Sequence, residues 1–329
     1  MTKFAELLDE DMKITGLTDE ALAGQIGVTK VAVHHWRTGK TKNPPSREKV
    51  FKCAEALELT PKQRMDFFRV AGILLEIPKL MPVVGIPVIK PYQFFGREKL
   101  LHDIYWAWNK VVPESIAIIG PERSGKTSVL NYLKNINIAE YYRPDQPKGW
   151  SENWLPHHVQ VALVDFQDAN MFQPETLIID VLRQLNLEVP SSCDLAKFSS
   201  LLKNELTKPV AILMDNIDIG LKMTALDGPF WWNMASLGSC EQISFVVTAS
   251  EQPLELARDC GKPSPFFKLF AQTLQLGAFT EEEARELLNN SPEPFSSEEI
   301  EGMLKESDCW PEPLQKLCDM RLRELLSEQ

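Results

Sequence analysis

Over the first 75 residues the hydrophobic positions recur at helical spacing. Phe4, Leu7, Leu8 and Met12 fall at i, i+3, i+4 and i+8, which predicts an amphipathic helix. Thr18 can cap a second helix over Asp19 to Ile26, with Leu22 and Ile26 inward, and Gly27 ends it. Thr29 caps a third helix carrying Val31, Ala32, Val33 and Trp36, which Gly39 closes. After the polar loop Thr41 to Pro45, Ser46 opens a fourth helix with Val50, Ala54 and Leu57. Thr60-Pro61-Lys62-Gln63 then reads as a capping box that opens a fifth.

From residue 115 the pattern changes. Ser115 to Ile119, Val161 to Asp165, Val210 to Met214 and Ile243 to Ser250 are short apolar runs rich in β-branched residues, as strands buried on both faces require. Leu274 to Phe279 makes a fifth, and helical stretches at Pro174–Leu185 and Ser192–Leu206 lie between them. This alternation predicts a parallel five-stranded sheet in a three-layer α/β domain. Past residue 280 the chain turns helical again. Thr280-x-x-Glu283 and Ser296-x-x-Glu299 are capping boxes, and a third helix follows Pro313, giving a small helical lid. Ile73 to Ile89 is the most apolar stretch, but Glu76, Pro78, Lys79, Pro82 and Pro87 exclude a membrane helix and suit a stiff linker. The predicted organisation is multidomain: an all-α domain over 1–75, a linker over 76–92, an α/β core over 93–279 and a lid over 280–329.

With 44% hydrophobic and 25% charged residues the composition is that of an ordinary globular protein. The formal net charge of −11 argues against a uniformly basic nucleic-acid coat. Charge is unevenly placed, however. Between residues 28 and 52, Lys30, Arg37, Lys40, Lys42, Arg47, Lys49 and Lys52 face only Glu48, leaving +6 there and −17 elsewhere. One dedicated polyanion-facing surface is expected. Six widely spaced cysteines without a C-x-x-C pair read as reduced thiols, and residues 1–13 are charged throughout, unlike a signal peptide; a cytoplasmic protein without membrane association is expected.

Directly after the run Ser115 to Ile119 comes Gly120-Pro121-Glu122-Arg123-Ser124-Gly125-Lys126-Thr127, followed by the helical Ser128-Val-Leu-Asn-Tyr-Leu. This is G-x-x-x-x-G-K-T in the strand–loop–helix setting that a phosphate loop requires. Its glycines let backbone N–H groups curl around phosphate oxygens, and the helix N-terminus adds positive dipole. Lys126 reaches the β- and γ-phosphates of ATP and the Thr127 hydroxyl ligates Mg²⁺. The run ending in Asp215 supplies the acid that holds Mg²⁺ through water, with Asp218 three residues on. The fourth run ends in Thr248 and Ser250, candidates to sense the γ-phosphate. Trp231 and Trp232 are read as core packing or loop anchors, His157-His158 lacks a third ligand, and Glu281 to Glu283 is a helix first turn.

Thr18 to Gly39, two short helices joined by a glycine turn and followed by a basic loop, resembles the xenobiotic-response-element (Cro-like) helix-turn-helix family. The resemblance implies that the helix from Thr29 enters the major groove of double-stranded DNA, with Thr29, Lys30, Val31, His34 and His35 at base edges and Arg37, Lys40 and Lys42 near phosphates. Asp19 departs from the family, which often has glutamine beside a phosphate there. His34 and His35 do not form a metal pair, because adjacent helical positions point about 100° apart.

Over residues 90–325, Phe94-Phe95-Gly96-Arg97-Glu98, the phosphate loop, Met214-Asp-Asn-Ile-Asp218 and Trp310-Pro311-x-x-Leu-Gln-x-Leu-Cys together resemble the STAND and archaeal-ORC-like ATPases of the AAA+ superclass. The D-x-x-D pattern resembles the NACHT branch. The resemblance implies that the Phe95-Gly96-Arg97 segment lies near adenine and that Pro311 contacts the nucleotide. Departures accompany it. Asn216 stands where many relatives carry the catalytic glutamate, leaving Asp218 or Glu251 to activate water in a slow ATPase. Glu251, not arginine, follows the sensor strand, with Arg123 and Arg143 as weak finger candidates, and Cys309 replaces the lid glycine. The expected function is an ATP-binding, DNA-binding regulator whose nucleotide state sets homo-oligomerisation or conformation. Two alternatives stay open: a phage Mu B-type transposition ATPase that coats DNA and recruits a transposase, and a signalling ATPase whose first domain binds protein.

Overall fold

The structure is a computed structural model, and it describes residues 3–41, 43–59, 61–73, 81–136 and 159–327. Thr60, Lys42, Arg143, His157, His158 and residues 76–80 of the expected linker lie outside the described residues. The chain divides into two compact units, whose described parts are 3–73 and 81–136 with 159–327.

The first unit holds five helices: α1 Lys3–Thr15, α2 Asp19–Ile26, α3 Lys30–Arg37, α4 Arg47–Ala56 and α5 Pro61–Val70. Local chemistry sets their ends. Thr18 Oγ1 accepts from Ala21 N–H and Thr29 Oγ1 from Ala32 N–H, both at 3.2 Å, satisfying donors that each helix start leaves free. Gly27 turns the chain between α2 and α3 at φ 71°, a left-handed conformation that costs glycine little. Phe4, Leu8 and Met12 of α1 meet Leu22, Ile26, Val33, Trp36, Val50 and Phe67 in one core, with the rings of Phe4 and Phe67 4.9 Å apart. Ser46 precedes α4 but its side chain makes no cap hydrogen bond.

The second unit is built on α6 Glu98–Trp108, β1 Ile116–Ile119, α7 Lys126–Lys134, β2 Gln160–Asp165, α8 Pro174–Gln184, α9 Leu195–Glu205, β3 Val210–Asp215, α10 Ile217–Lys222, α11 Gly228–Leu237, β4 Ile243–Ala249, α12 Pro253–Asp259, β5 Gln272–Gln275, α13 Glu281–Asn289, α14 Ser297–Ser307 and α15 Pro311–Ser327. The five strands pair in parallel in the order β2-β3-β4-β1-β5. Every residue of β1, β3 and β4 is buried, which is why these runs are continuously apolar rather than alternating. Trp231 lies in the main core against Phe230, Phe266 and Phe267, whereas Trp232 is exposed. All six cysteines are free thiols, and no described helix is long and apolar enough to cross a membrane.

Two expected boundaries move. The fifth strand occupies Gln272–Gln275, because pairing with β1 ends there and the following carbonyls of Gly277 and Ala278 receive a side chain from elsewhere. The last helix begins at Pro311, two residues early, since a proline fits the first helical turn without losing a hydrogen bond. Helices α13 to α15 share a small core of their own around Leu287, Leu288, Leu304, Leu314 and Cys318, and Phe95 inserts into it.

Candidate functional site

Parallel strands put their C-terminal ends on one side of the sheet, and the strand order decides which loops meet there. After β1 the chain crosses to the far edge at β2 and returns through β3 and β4, so β4 lies between β3 and β1. A crevice forms where such connections diverge. Gly120–Thr127 leaves β1 at this point, between the ends of β4 and β5, with the end of β3 one strand beyond β4.

Gly120 donates to Ala249 O at 3.3 Å, and a Cβ built on it would lie 2.4 Å from Leu276 O, so only glycine fits between β4 and β5 here. Arg123 and Gly125 adopt left-handed conformations at φ 62° and 97°, which curl the loop before α7 begins. Pro121, Glu122 and Arg123 are exposed, while Ser124 is fully buried and its hydroxyl has no partner among the described residues. Lys126 Nζ donates to the carbonyls of Gly120 (2.7 Å) and Pro121 (2.8 Å). Burial holds its pKa below the ordinary lysine value, against the pull of Asp215, Asp218 and Glu122. Ser128, expected with the loop at the nucleotide, has its hydroxyl accepting from Val88 N–H at 3.0 Å, while Asn131 Nδ2 donates to Val88 O at 3.1 Å. These bonds fasten the chain at Val88 to α7.

Asp215 ends β3, 1% exposed, and accepts a short hydrogen bond from Thr248 of β4. Burial raises its pKa, opposed by the hydrogen bond from Thr248 and by the nearby Thr127 hydroxyl. Its second oxygen, Oδ2, is buried without a partner among the described residues. Asp165, aligned with Asp215 across the β2–β3 pair, accepts from Asn216 Nδ2 at 3.2 Å. An orphaned carboxylate oxygen beside a threonine hydroxyl and a second acid is a hard, all-oxygen donor set, which suits Mg²⁺ better than a softer metal. Asp165 escaped sequence reading although it, too, is an acid closing an apolar run.

Thr248 and Ser250 divide the work expected of the sensor strand. Thr248 binds Asp215 and also accepts from Asn216 N–H at 2.8 Å, whereas Ser250 hydrogen-bonds Asp218 through both its N–H and its hydroxyl. Asp218 is therefore engaged, and Glu251 is exposed beyond the strand. Asn216 sits at φ 59°, a left-handed position in which asparagine is enriched over glutamate. Cys309 has φ 56°, so this replacement occupies a conformation that favours glycine.

Phe95-Gly96-Arg97 does not present side chains outward. Phe95 is buried among α13–α15, and a Cβ on Gly96 would lie 2.8 Å from the Glu283 side chain. Arg97 is 8% exposed, and its guanidinium donates to Ser124 O (3.1 Å), Gly277 O (2.7 Å) and Ala278 O (3.1 Å) above the Phe279 ring. Pro311 is half-buried at the start of α15, and its neighbour Glu312 pairs with Arg123 at 2.9 Å, joining the loop to that helix.

A P-loop fold is decided by these features together: an all-parallel β2-β3-β4-β1-β5 sheet, a glycine loop after β1 and an acid closing β3. The second unit has a P-loop NTPase fold. Its solved neighbours agree. A Walker-type ATPase of Pyrococcus abyssi aligns with TM-score 0.50 at 17% identity, over 73% of this chain and 71% of that one. The ORC2 protein of Aeropyrum pernix, solved in ADPNP–ADP complexes, aligns with TM-score 0.50 at 14% identity, over 73% of this chain. This chain spans 63% of the length of that ORC2 protein. No protein-family model and no curated protein sequence matches the chain.

In the first unit the residues expected at DNA divide into two groups. Val31 is 61% exposed, and Thr29, Lys30, His35 and Lys40 are exposed as well. Lys30, His34 and Arg37 are engaged by acids, however. Lys30 Nζ lies 3.1 Å from Glu20, His34 Nδ1 lies 3.2 Å from Asp19, and Arg37 contacts both Asp9 (3.2 Å) and Asp19 (3.0 Å). The +6 segment is thus partly neutralised by α1 and α2, a pairing that linear charge counting does not register.

Proposed function

We propose that this protein is a nucleotide-dependent DNA-binding regulator, in which ATP held by the second unit controls the assembly or conformation of a protein whose first unit is a helix-turn-helix. The observation that carries the reading is the meeting of the Gly120–Thr127 loop with Asp215 and Thr248. Gly120, Gly125 and Lys126 would hold the phosphates, Thr127 and Asp215 would hold Mg²⁺, and the α13–α15 lid would cover the nucleotide. When bound, Mg²⁺ would neutralise phosphate charge. Thr248 holds Asp215 Oδ1, which leaves the orphaned Oδ2 as that carboxylate's free donor. Asp218 is tied to Ser250 and Asn216 replaces the acid next to Asp215, so a slow ATPase, closer to a switch than to a fast enzyme, fits these residues. ORC2, with the same core fold, carries ADPNP and ADP. For DNA, the support is the Thr29-capped helix after a glycine turn, with Val31, His35 and Lys40 exposed along or just after it.

A second reading, in which the first unit binds protein within a signalling ATPase, is favoured by the acids that occupy Lys30, His34 and Arg37. Duplex binding and particle size, measured together without and with ATP·Mg²⁺ across a salt series, separate the two. The regulator predicts salt-sensitive binding that ATP strengthens. Lys126→Ala should weaken ATP binding roughly ten- to a hundredfold, the worth of hydrogen bonds from a charged donor, and remove the ATP effect. No salt-sensitive DNA binding in either state leaves the protein-binding reading.

A further inference from the structure

We propose that Arg97 is a positioning residue that couples the phosphate loop to the hinge between the sheet and the α13–α15 helices, so that occupancy of the loop sets the lid. The inference rests on the nucleotide reading of the loop, but the geometry stands without it. The Arg97 guanidinium is buried and donates to three backbone carbonyls, one on the loop (Ser124) and two on the hinge (Gly277 and Ala278), and it lies 4.5 Å from the centre of the Phe279 ring. A buried cation is costly unless its donors are satisfied. Here the acceptors belong to two separate segments, so moving either one strands donors of the same group. Glu283 lies close to Arg97 but its carboxylate is occupied elsewhere, accepting from the Arg97 and Thr280 backbone N–H groups. The capping box that starts α13 is therefore fastened to the chain at Arg97 as well.

Peptide planarity gives this contact a direction. In a trans peptide the carbonyl and the next N–H point oppositely. By holding Ser124 O, Arg97 turns the Gly125 N–H away from itself. Beyond its two chain neighbours, no residue comes within 4 Å of the side of Gly125 that a Cβ would occupy. A phosphate that binds this N–H would resist a flip of the 124–125 peptide, keep Ser124 O on Arg97, and so keep the hinge carbonyls in place. Lid position and phosphate binding become linked through one side chain.

Lysine keeps the charge but cannot reach three carbonyls in a planar fork. The test compares wild type, Arg97→Lys and Arg97→Ala by amide hydrogen exchange, with and without saturating ATP·Mg²⁺, and by ATP affinity. Without nucleotide, exchange in 121–127 and in 276–289 should rise together in both variants, while β1 and β4 stay protected and so report an intact sheet. ATP should protect both segments in wild type but only 121–127 in the variants, with affinity reduced about tenfold, as expected for loss of one well-directed hydrogen bond to a charged group. The proposal is overturned if the two segments respond separately, or if ATP protects the hinge of Arg97→Lys as fully as in wild type. A wild type that binds no ATP would sink the nucleotide reading alone, since the joint rise without ligand still decides the clamp.

Discussion

Asp19→Asn is the substitution that most sharply tests the DNA reading. Asp19 retains 11% side-chain exposure and contacts both Arg37 and His34, while Arg37 is 30% exposed and also meets Asp9. Asp9 is already paired with Lys13 at 2.6 Å, so Asp19 is the principal restraint on the guanidinium. Asparagine keeps the shape and can still accept a hydrogen bond, so the domain should lose only about 0.5–1.5 kcal/mol, the range for a partly buried pair and one first-turn acid. What it releases is larger in effect. One more cation free to neutralise one phosphate steepens the dependence of log K on log salt by about 0.9. That slope corresponds to roughly eightfold tighter binding at 0.1 M salt and roughly fourfold at 0.2 M. Fluorescence anisotropy of a labelled duplex across a KCl series measures both quantities. If wild type binds in a salt-dependent way and Asp19→Asn leaves affinity and slope unchanged, Arg37 does not face the backbone and the helix from Thr29 does not dock as the resemblance implies.

Burial pushes Asp11 up to about 6 from the ordinary 3.8, so the folded first unit holds this proton more tightly than the unfolded chain does. Its stability should therefore increase as pH falls from 7 toward 4 and diminish as pH rises through 6. Calorimetry should find Asp11→Asn more stable by about 1–2 kcal/mol at pH 8 and equal to wild type below pH 4, taking about half of the full two-unit shift to allow for relaxation. A difference that does not change with pH would show that the Asp11 charge is not what costs stability. Gly120→Ala drives a Cβ against the Leu276 carbonyl and should cost more than about 2 kcal/mol as well as nucleotide affinity, whereas Gly302→Ala, in an open helical position, should stabilise by about 0.5–1 kcal/mol. Equal melting shifts for the two glycines would contradict the close approach of β5 to the loop.

Short-range patterns carried the sequence reading a long way. The runs at 116–119, 210–215 and 243–249 could be read because strands buried on both faces are nearly continuously apolar, whereas the half-buried edge strand at 160–165 was legible from the apolar stretch Val161 to Val164. Thr18, Gly27, Thr29, Thr280 and Ser296 announced helix ends because caps act within three or four residues. The G-x-x-x-x-G-K-T loop needed only its own eight residues and the strand before it. What distance in sequence hides was missed. Asp165 meets Asn216 only because β2 pairs with β3, and Thr248 reaches Asp215 only because β4 lies between β3 and β1. Arg97, in the segment expected near adenine, donates to carbonyls up to 181 positions away, which no sequence pattern announces. Asp9 and Asp19 quench Arg37 because three helices converge, although no count along the chain puts them together. By itself, then, the sequence determined the elements, their caps and the phosphate loop, which local backbone chemistry fixes. Which acids lie beside that loop, which cations remain free and which side chain bridges the loop and the segment before α13 were decided by strand order and helix packing, because Coulomb and hydrogen-bond energies depend on distance through space.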